Sequence, residues 1–285
     1  VEDFEYLKPE TTAEAAALLA LHRGEARVIA GGQSLIPMLR ARLLAPAYLV
    51  GLEAIPKLAH IQEVDGGLRI GAMAAHLEVA TSPLVKRRAA ILADAEGMVG
   101  SPAVRNLGTL GGNLCHNEVG ADPPPALLAL GARAVIASPQ GERTLPLEQL
   151  FTGFLETALG EDEILAYIDI PAPPPGLASA YLKYRLRAVD RSVVSVAVAL
   201  EMQSGTCSQA RVALGGVGPV PFRSRGAEAA LQGKHPDQGT VERAAQAAMS
   251  DSQPMSDAHA SADYRRKMVA VFTRRALKQA LGVAG

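Results

Sequence analysis

The chain has 285 residues, 48% of them hydrophobic but only 4% aromatic, with no Trp. That length suits two modest domains rather than one, and the aliphatics are plentiful enough to build cores without disulfides or metals. The net charge of −1 and the lack of an aromatic-interleaved basic motif argue against nucleic-acid binding, and Cys115 and Cys207 form no C-x-x-C pattern that would ligate zinc or an iron–sulfur cluster within this chain.

The opening Val1-Glu2-Asp3-Phe4 lacks the basic and apolar regions of a signal peptide. Apolar stretches such as Ala126–Ala132 fall far short of the roughly 20 residues that a membrane span requires, so a cytoplasmic protein without a span is expected. Phe4–Leu7 reads as a short strand ended by Pro9. Thr11-Thr12-Ala13-Glu14 has the form of a capping box and opens an Ala/Leu-rich helix to about His22. Arg27–Ala30 is a short apolar strand running into Gly31-Gly32, after which Ser34 or a neighbour starts a helix that tolerates Pro37 in its first turn. Tyr48–Leu52 is a further strand, and this alternation predicts a small parallel sheet.

From about residue 56 to 170 the pattern becomes α+β. Leu68–Gly71 reads as a strand, Leu77–Thr81 and Leu84–Met98 as helices, 107–113 as a glycine-rich run, Leu127–Ile136 as helix passing to strand, and Ile164–Ile170 as a strand. Pro171-Ala172-Pro173-Pro174-Pro175-Gly176 is a stiff, non-helical linker. Beyond it, Ser179–Leu186, Val193–Met202 and Gln209–Leu214 are β-rich, with a turn at Met202–Thr206. Helical stretches at Glu228–Leu231, Val241–Met249 and about Asp263–Leu281 complete a second α+β unit. Residues 1–175 carry 13 Lys+Arg against 21 Asp+Glu, whereas residues 176–285 carry 15 against 8. Two units of opposite charge are expected to face each other or to share a partner.

Two constellations carry chemistry. Ala30-Gly31-Gly32-Gln33-Ser34-Leu35 lies between a strand and a helix, where glycines permit close backbone approach and the helix start directs N–H groups at an anion. It matches neither the G-x-G-x-x-G fingerprint nor a Walker A loop, and an ordinary turn is the plainer reading. Thr109-Leu110-Gly111-Gly112-Asn113 repeats the chemistry about 80 residues later, flanking paired glycines with a hydroxyl and an amide. Two such loops suggest two walls around one diphosphate. Cys115-His116-Asn117-Glu118 has metal-like residue types but no metal-ligand spacing.

These motifs resemble the two flavin loops of the FAD-binding medium subunits of the molybdenum hydroxylases, the xanthine dehydrogenase and aerobic carbon monoxide dehydrogenase group. The likeness extends through Leu35-Ile36-Pro37-Met38, Gly71-Ala72-Met73, Glu163-Ile164-Leu165, Ile170-Pro171 and Tyr264-Arg265-Arg266-Lys267-Met268. It implies an α+β, two-subdomain flavin fold of the vanillyl-alcohol-oxidase/PCMH type over residues 1–175, with subdomains at about 1–55 and 56–170. A smaller C-terminal α+β domain, like that of the carbon monoxide dehydrogenase flavoprotein, would occupy 176–285. It further implies FAD held by backbone N–H groups of 31–35 and 109–113, with Val99 and Gly100 near the adenine or its ribose and Leu165 and Ala166 beside the cofactor. Asp122 would bond the flavin's sugar-like chain, and Lys183 would approach the isoalloxazine. From the residues alone, the lesser alternatives are Asp122 as a cap for the helix after it and Lys183 as a solvated strand lysine.

The resemblance makes this chain an oxidoreductase component. Substrate would be oxidised on a large molybdenum-cofactor subunit, and electrons would pass through a small subunit with two [2Fe–2S] clusters to the FAD here, then to an external acceptor (NAD, oxygen or a quinone). The expected assembly is a dimer of heterotrimers. No catalytic acid or base is assigned to this chain. A self-contained FAD-dependent oxidase or reductase of the same fold is the alternative. Three departures bear on the site: Gln33 stands where many relatives have histidine, Asn117–Gly120 replaces a smaller Asp/Pro-containing run, and Arg191 stands where carbon monoxide dehydrogenase relatives place an aromatic residue against the flavin ring.

Overall fold

Three sheets of three to five strands form in succession along the described residues, each with its own pattern of burial. The structure is a computed structural model describing residues 3–283. Val1 and Glu2, part of the segment inspected for a signal peptide, lie outside the described residues, as do Ala284 and Gly285.

The first sheet is made by β1 (Glu5–Leu7), β2 (Ala26–Ile29) and β3 (Tyr48–Gly51), connected through α1 (Thr12–Leu21) and α2 (Leu35–Arg40). Its order is β1-β3-β2 and both pairings are parallel, as the strand–helix alternation predicts. Half of the anticipated capping box forms: Thr11 Oγ1 accepts from the Glu14 N–H, while the Glu14 carboxylate takes the N–H of Glu10. Ser34 occupies the N-cap position of α2 with helical backbone and no side-chain cap. No side chain therefore caps the free N–H groups at the start of α2.

The second sheet, order β4-β5-β10-β6-β7, is antiparallel throughout. Its strands are β4 (Ile61–Val64), β5 (Gly67–Gly71), β6 (Arg133–Ser138), β7 (Gly141–Pro146) and β10 (Ile164–Ile170). A separate hairpin joins β8 (Phe151–Gly153) to β9 (Glu156–Thr157). Between β5 and β6 run α3 (His76–Thr81), α4 (Pro83–Arg88), α5 (Ala90–Gly97), α6 (Pro102–Leu107), α7 (Leu110–His116) and α8 (Pro123–Ala129).

Two expectations are corrected in this region. The single helix over Leu84–Met98 is broken at Ala89, whose φ −147 and ψ 53 are not helical. The glycine-rich run at 107–113 is not a loop. Leu107 ends α6, and Gly111 and Gly112 lie in the first turn of α7 with Thr109 as its N-cap, its hydroxyl accepting from the Gly112 N–H.

After the non-regular 171–176 segment, β11 (Leu177–Tyr184), β12 (Val194–Gln203), β13 (Thr206–Gly215) and β14 (Phe222–Arg223) form an antiparallel sheet in chain order. It is covered by α9 (Arg225–Leu231), α10 (Gln238–Asp251) and α11 (Ala262–Ala280). The β12–β13 turn places Ser204 and Gly205 at positive φ, the geometry a two-residue hairpin loop requires. Arg265, in the last helix, is buried and donates to the carbonyls of Val193 and Gly216, tying α11 to the ends of two strands.

The two halves share a core in which Tyr181, Ala197, Ala199 and Ala213 pack among Leu92, Leu127 and their neighbours. Their opposite charges meet across that junction: Asp122 pairs with Lys183, Glu118 with Arg191 and Glu148 with Arg225. The acidic partner comes from the first half each time, so part of the charge asymmetry is spent on holding the halves together.

Candidate functional site

Gly31 lies directly against the α6–α7 junction. A Cβ added to Gly31 would fall 2.0 Å from the Leu107 carbonyl oxygen and 2.8 Å from the Gly108 Cα, a space only glycine can occupy. Gly111 is equally confined from the other side, because a Cβ there would meet Ala72 at 2.4 Å from its Cβ and 2.7 Å from its carbonyl oxygen. The two glycine pairs, about 80 residues apart in sequence, thus form one seam. Beside it opens a cavity of about 480 Å³, within the range of sites that take small molecules and cofactors.

Twelve of the sixteen residues assigned to cofactor binding line this cavity: Ala30, Gly31, Gly32, Gln33, Ser34, Leu35, Val99, Thr109, Gly111, Gly112, Asn113 and Leu165. Val28, Met38, Leu52, Met73, Leu155 and Ile164 give the wall a largely apolar character, while Arg27 contributes a cation. The other four assigned residues stand behind the wall. Gly100 turns the backbone at φ 44, and its carbonyl oxygen accepts from Arg105. Ala166 gives its carbonyl to the Ala72 N–H at 2.9 Å. Asp122 and Lys183 bond each other.

The walls differ in what they offer a ligand. In the second, the Leu110 N–H donates to Ala74 O, Gly111 N–H to Ala72 O, Gly112 N–H to Thr109 Oγ1 and Asn113 N–H to Thr109 O. Four of the five N–H donors expected there are already engaged, and only that of Thr109 has no acceptor among the described residues. In the first wall, none of the backbone N–H groups of 31–35 has an intramolecular acceptor among the described residues. Gln33 steadies this open turn by donating from Nε2 to the Gly31 carbonyl at 3.0 Å. The second wall contributes side chains instead: Asn113 Oδ1 is buried with no partner, and the Thr109 hydroxyl retains its proton. A row of free donors facing a largely enclosed polar atom fits an oxygen-rich anion with hydroxyl or amino groups nearby.

The description "FAD binding domain in molybdopterin dehydrogenase" matches residues 2–173, and "CO dehydrogenase flavoprotein C-terminal domain" matches residues 179–280. The carbon monoxide dehydrogenase medium chain of Hydrogenophaga pseudoflava is 36% identical over 97% of this chain and 96% of its own length. The chain belongs to the FAD-binding medium subunits of the molybdenum hydroxylases. The 6-hydroxypseudooxynicotine dehydrogenase complex subunit alpha of Paenarthrobacter nicotinovorans is 33% identical, covering 98% of this chain and 94% of that one. The solved Hydrogenophaga pseudoflava carbon monoxide dehydrogenase that lacks the Mo-pyranopterin moiety superposes with a TM-score of 0.96 at 37% identity, covering 99% of this chain and 98% of the other. The fold of this medium subunit is therefore the mixed, two-domain flavoprotein fold that its motifs imply.

In this medium subunit Asp122 does not cap α8, since its backbone is helical and its carboxylate makes no cap bond. It accepts instead from the Tyr181 hydroxyl at 2.6 Å and from Lys183 Nζ at 2.7 Å, while Lys183 also donates to the Met98 carbonyl at 3.1 Å. Burial pushes the Asp122 carboxyl above its ordinary range, opposed by Lys183 and by the Tyr181 hydroxyl. Lys183 is thus no solvated strand lysine; its side chain is 1% exposed. Arg191 lies outside the cavity, paired with Glu118.

Two elements near the cavity escaped the sequence reading. Asn117, in the metal-like run, is a fully buried C-cap of α7 at φ 47. Its Nδ2 donates to Gly153 O at 2.8 Å and Glu156 O at 2.7 Å, which fixes the β8–β9 hairpin whose Leu155 reaches the cavity. Asparagine tolerates this left-handed conformation, so an Asn after a helical run was the available signal. Among the described residues no group of three or more His, Cys, Asp or Glu is placed to hold a metal ion, and burial pushes the Cys115 thiol up to about 12.

Proposed function

We propose that this chain holds FAD in the cavity between its two glycine segments and serves as the flavin relay of a molybdenum hydroxylase complex. The observation that carries the reading is the row of unsatisfied N–H groups at 31–35, set against an apolar cavity and the buried, unpartnered Asn113 Oδ1. Those N–H groups would take the diphosphate, and Thr109 and Asn113 would face it or the adjoining ribose from the second wall. Val99, Gly100, Leu165 and Ala166 would shape the surroundings of the rings. Asp122 and Lys183 would act from behind the Met98–Val99 backbone, Lys183 holding Met98 in place and lending positive charge to that side.

Bound FAD would supply a two-electron store that exchanges electrons singly or in pairs. This chain's contribution is to hold it, exclude water and set its electrostatics. Two of the cavity's ionisable side chains are held by other protein groups: His76 is bonded to Glu96, and Glu163 accepts from Arg143 through both carboxylate oxygens at 2.6 Å. Relatives named as medium chains and complex subunits support partner subunits; those partners would carry the molybdenum cofactor and two [2Fe–2S] clusters, and the assembly would be a dimer of heterotrimers. No helix among the described residues is long and apolar enough to cross a membrane, which is compatible with a cytoplasmic complex. The external acceptor would be NAD, oxygen or a quinone.

The test is purification of the chain alone and from its native source, with cofactor release and metal analysis of both. FAD without metal in the isolated chain, and iron and molybdenum in the native complex, is the expected result. Reduction of the isolated flavoprotein by a small organic substrate would instead establish a self-contained flavoenzyme.

A further inference from the structure

His76 occupies the seam where the two glycine segments meet, and no function above uses it. It is the first residue of α3, 3% exposed, and it lines the cavity. Its backbone N–H donates to the Gly108 carbonyl at 3.0 Å, which fixes it beside the residue on which Gly31 rests. The ring's Cδ2–Nε2 edge faces the Gly108 Cα, since a Cβ there would lie 3.0 Å from Cδ2 and 3.3 Å from Nε2. Nδ1 points the other way, 2.5 Å from Oε2 of Glu96, whose side chain is fully buried.

This pair is costly to bury without a purpose. Glu96 Oε1 has no hydrogen-bond partner, and Glu96 is the only side-chain partner of the His76 ring among the described residues. A ring held between the Glu96 carboxylate at Nδ1 and an anionic oxygen at Nε2 would donate to both, because each ring nitrogen would face an acceptor. The neighbouring free donors are the backbone N–H groups of 31–35, so the seam is lined by donors and best suits an anionic oxygen. Glu96 sits behind the ring and fixes which edge of it faces the cavity.

We propose that His76 is a cofactor-binding residue, donating from Nε2 to a diphosphate oxygen of FAD, and that Glu96 is the positioning residue that orients its ring. This rests on the reading of the cavity as the FAD site. The backbone cradle would hold one side of the diphosphate, and His76 would supply a bond to its anionic oxygen from the second wall, where the backbone donors of 110–113 are spent.

The experiment is titration of the flavin-free full chain with FAD, followed by fluorescence quenching, with 31P NMR of the bound cofactor. His76→Ala strands the Glu96 carboxylate in the core and can unfold the chain. The decisive variant is therefore the double His76→Leu, Glu96→Leu, because a buried pair replaced by apolar residues of similar size usually keeps stability. The double variant should keep its thermal unfolding temperature, bind FAD about tenfold to hundredfold more weakly, the range for a lost charge-assisted hydrogen bond, and move one diphosphate resonance. Glu96→Gln, which can still accept from Nδ1–H, should retain most of the affinity, and His76→Gln, which returns a donor near Nε2, should exceed the double variant. Unchanged affinity and unchanged 31P resonances in the folded double variant would overturn the assignment while leaving the FAD site intact. A wild-type chain that binds no FAD would overturn both.

Discussion

The two glycine pairs share letters and a seam but use glycine for different reasons. Gly32 sits at φ 68, a backbone conformation that side-chain-bearing residues rarely adopt, in a turn whose N–H groups have no acceptor among the described residues. Gly111 and Gly112 have ordinary helical backbone, and Gly111 is required because Ala72 leaves no volume for a Cβ. The first segment is shaped to present donors; the second is shaped to let another segment approach. A glycine pair in a sequence is therefore ambiguous until its neighbours are known, and symmetry of motif does not imply symmetry of role.

Alanine at each glycine should separate these roles. The largest effect is expected at Gly31, where a Cβ meets fixed backbone on both Leu107 and Gly108. Gly31→Ala should cost about 3 kcal/mol or more of stability in denaturant unfolding, with FAD binding lost as the seam opens. Gly111→Ala comes next, at about 2–3 kcal/mol by the same assay, since Ala72 Cβ is its closest neighbour and part of that crowding can be relieved. Gly32→Ala should cost about 1–2 kcal/mol for its left-handed backbone, because the Ile36 side chain in its path can rotate away. Its loss of FAD affinity should exceed its loss of stability, because the turn carries the donors.

Gly112→Ala should be nearly neutral for folding. A gain of roughly 0.5–1 kcal/mol from replacing a helical glycine offsets its contact with Thr109 Oγ1 at 2.9 Å. The smallest effect concerns the Cys115 thiol on the same helix. Held up to about 12 by burial, it should resist iodoacetamide at mildly alkaline pH, as mass spectrometry of the folded protein would show. Rapid alkylation would mean that the second wall is far more open than its packing indicates.

Much of this arrangement is legible in the residues themselves. Arg27–Ala30 leading into Gly31-Gly32 and a Pro37-bearing helix already specify a strand, a tight turn and a helix start. The 171–176 linker and the Ser204-Gly205 turn are equally plain, because Pro and Gly act locally. Other features depend on distant partners. Asp122 before three prolines reads as a cap, and only the fold reveals Tyr181 and Lys183 sixty residues away as its partners. Gly-Gly disfavours helix by propensity, yet Thr109 capping and the fit against Ala72 place both glycines in α7. Strands β4 and β7 are largely exposed edge strands with little apolar alternation, so nothing in their pattern announced them. His76 stands three residues beyond the Gly71-Ala72-Met73 motif, but its link to Glu96 across α3 and α5 has no local signal.

A crystal structure of this chain grown with FAD would test the central claim most directly. The account predicts the diphosphate against the N–H groups of 31–35, with Thr109 and Asn113 on its other side. Flavin density anywhere else, or a diphosphate held only by the second segment, would contradict it.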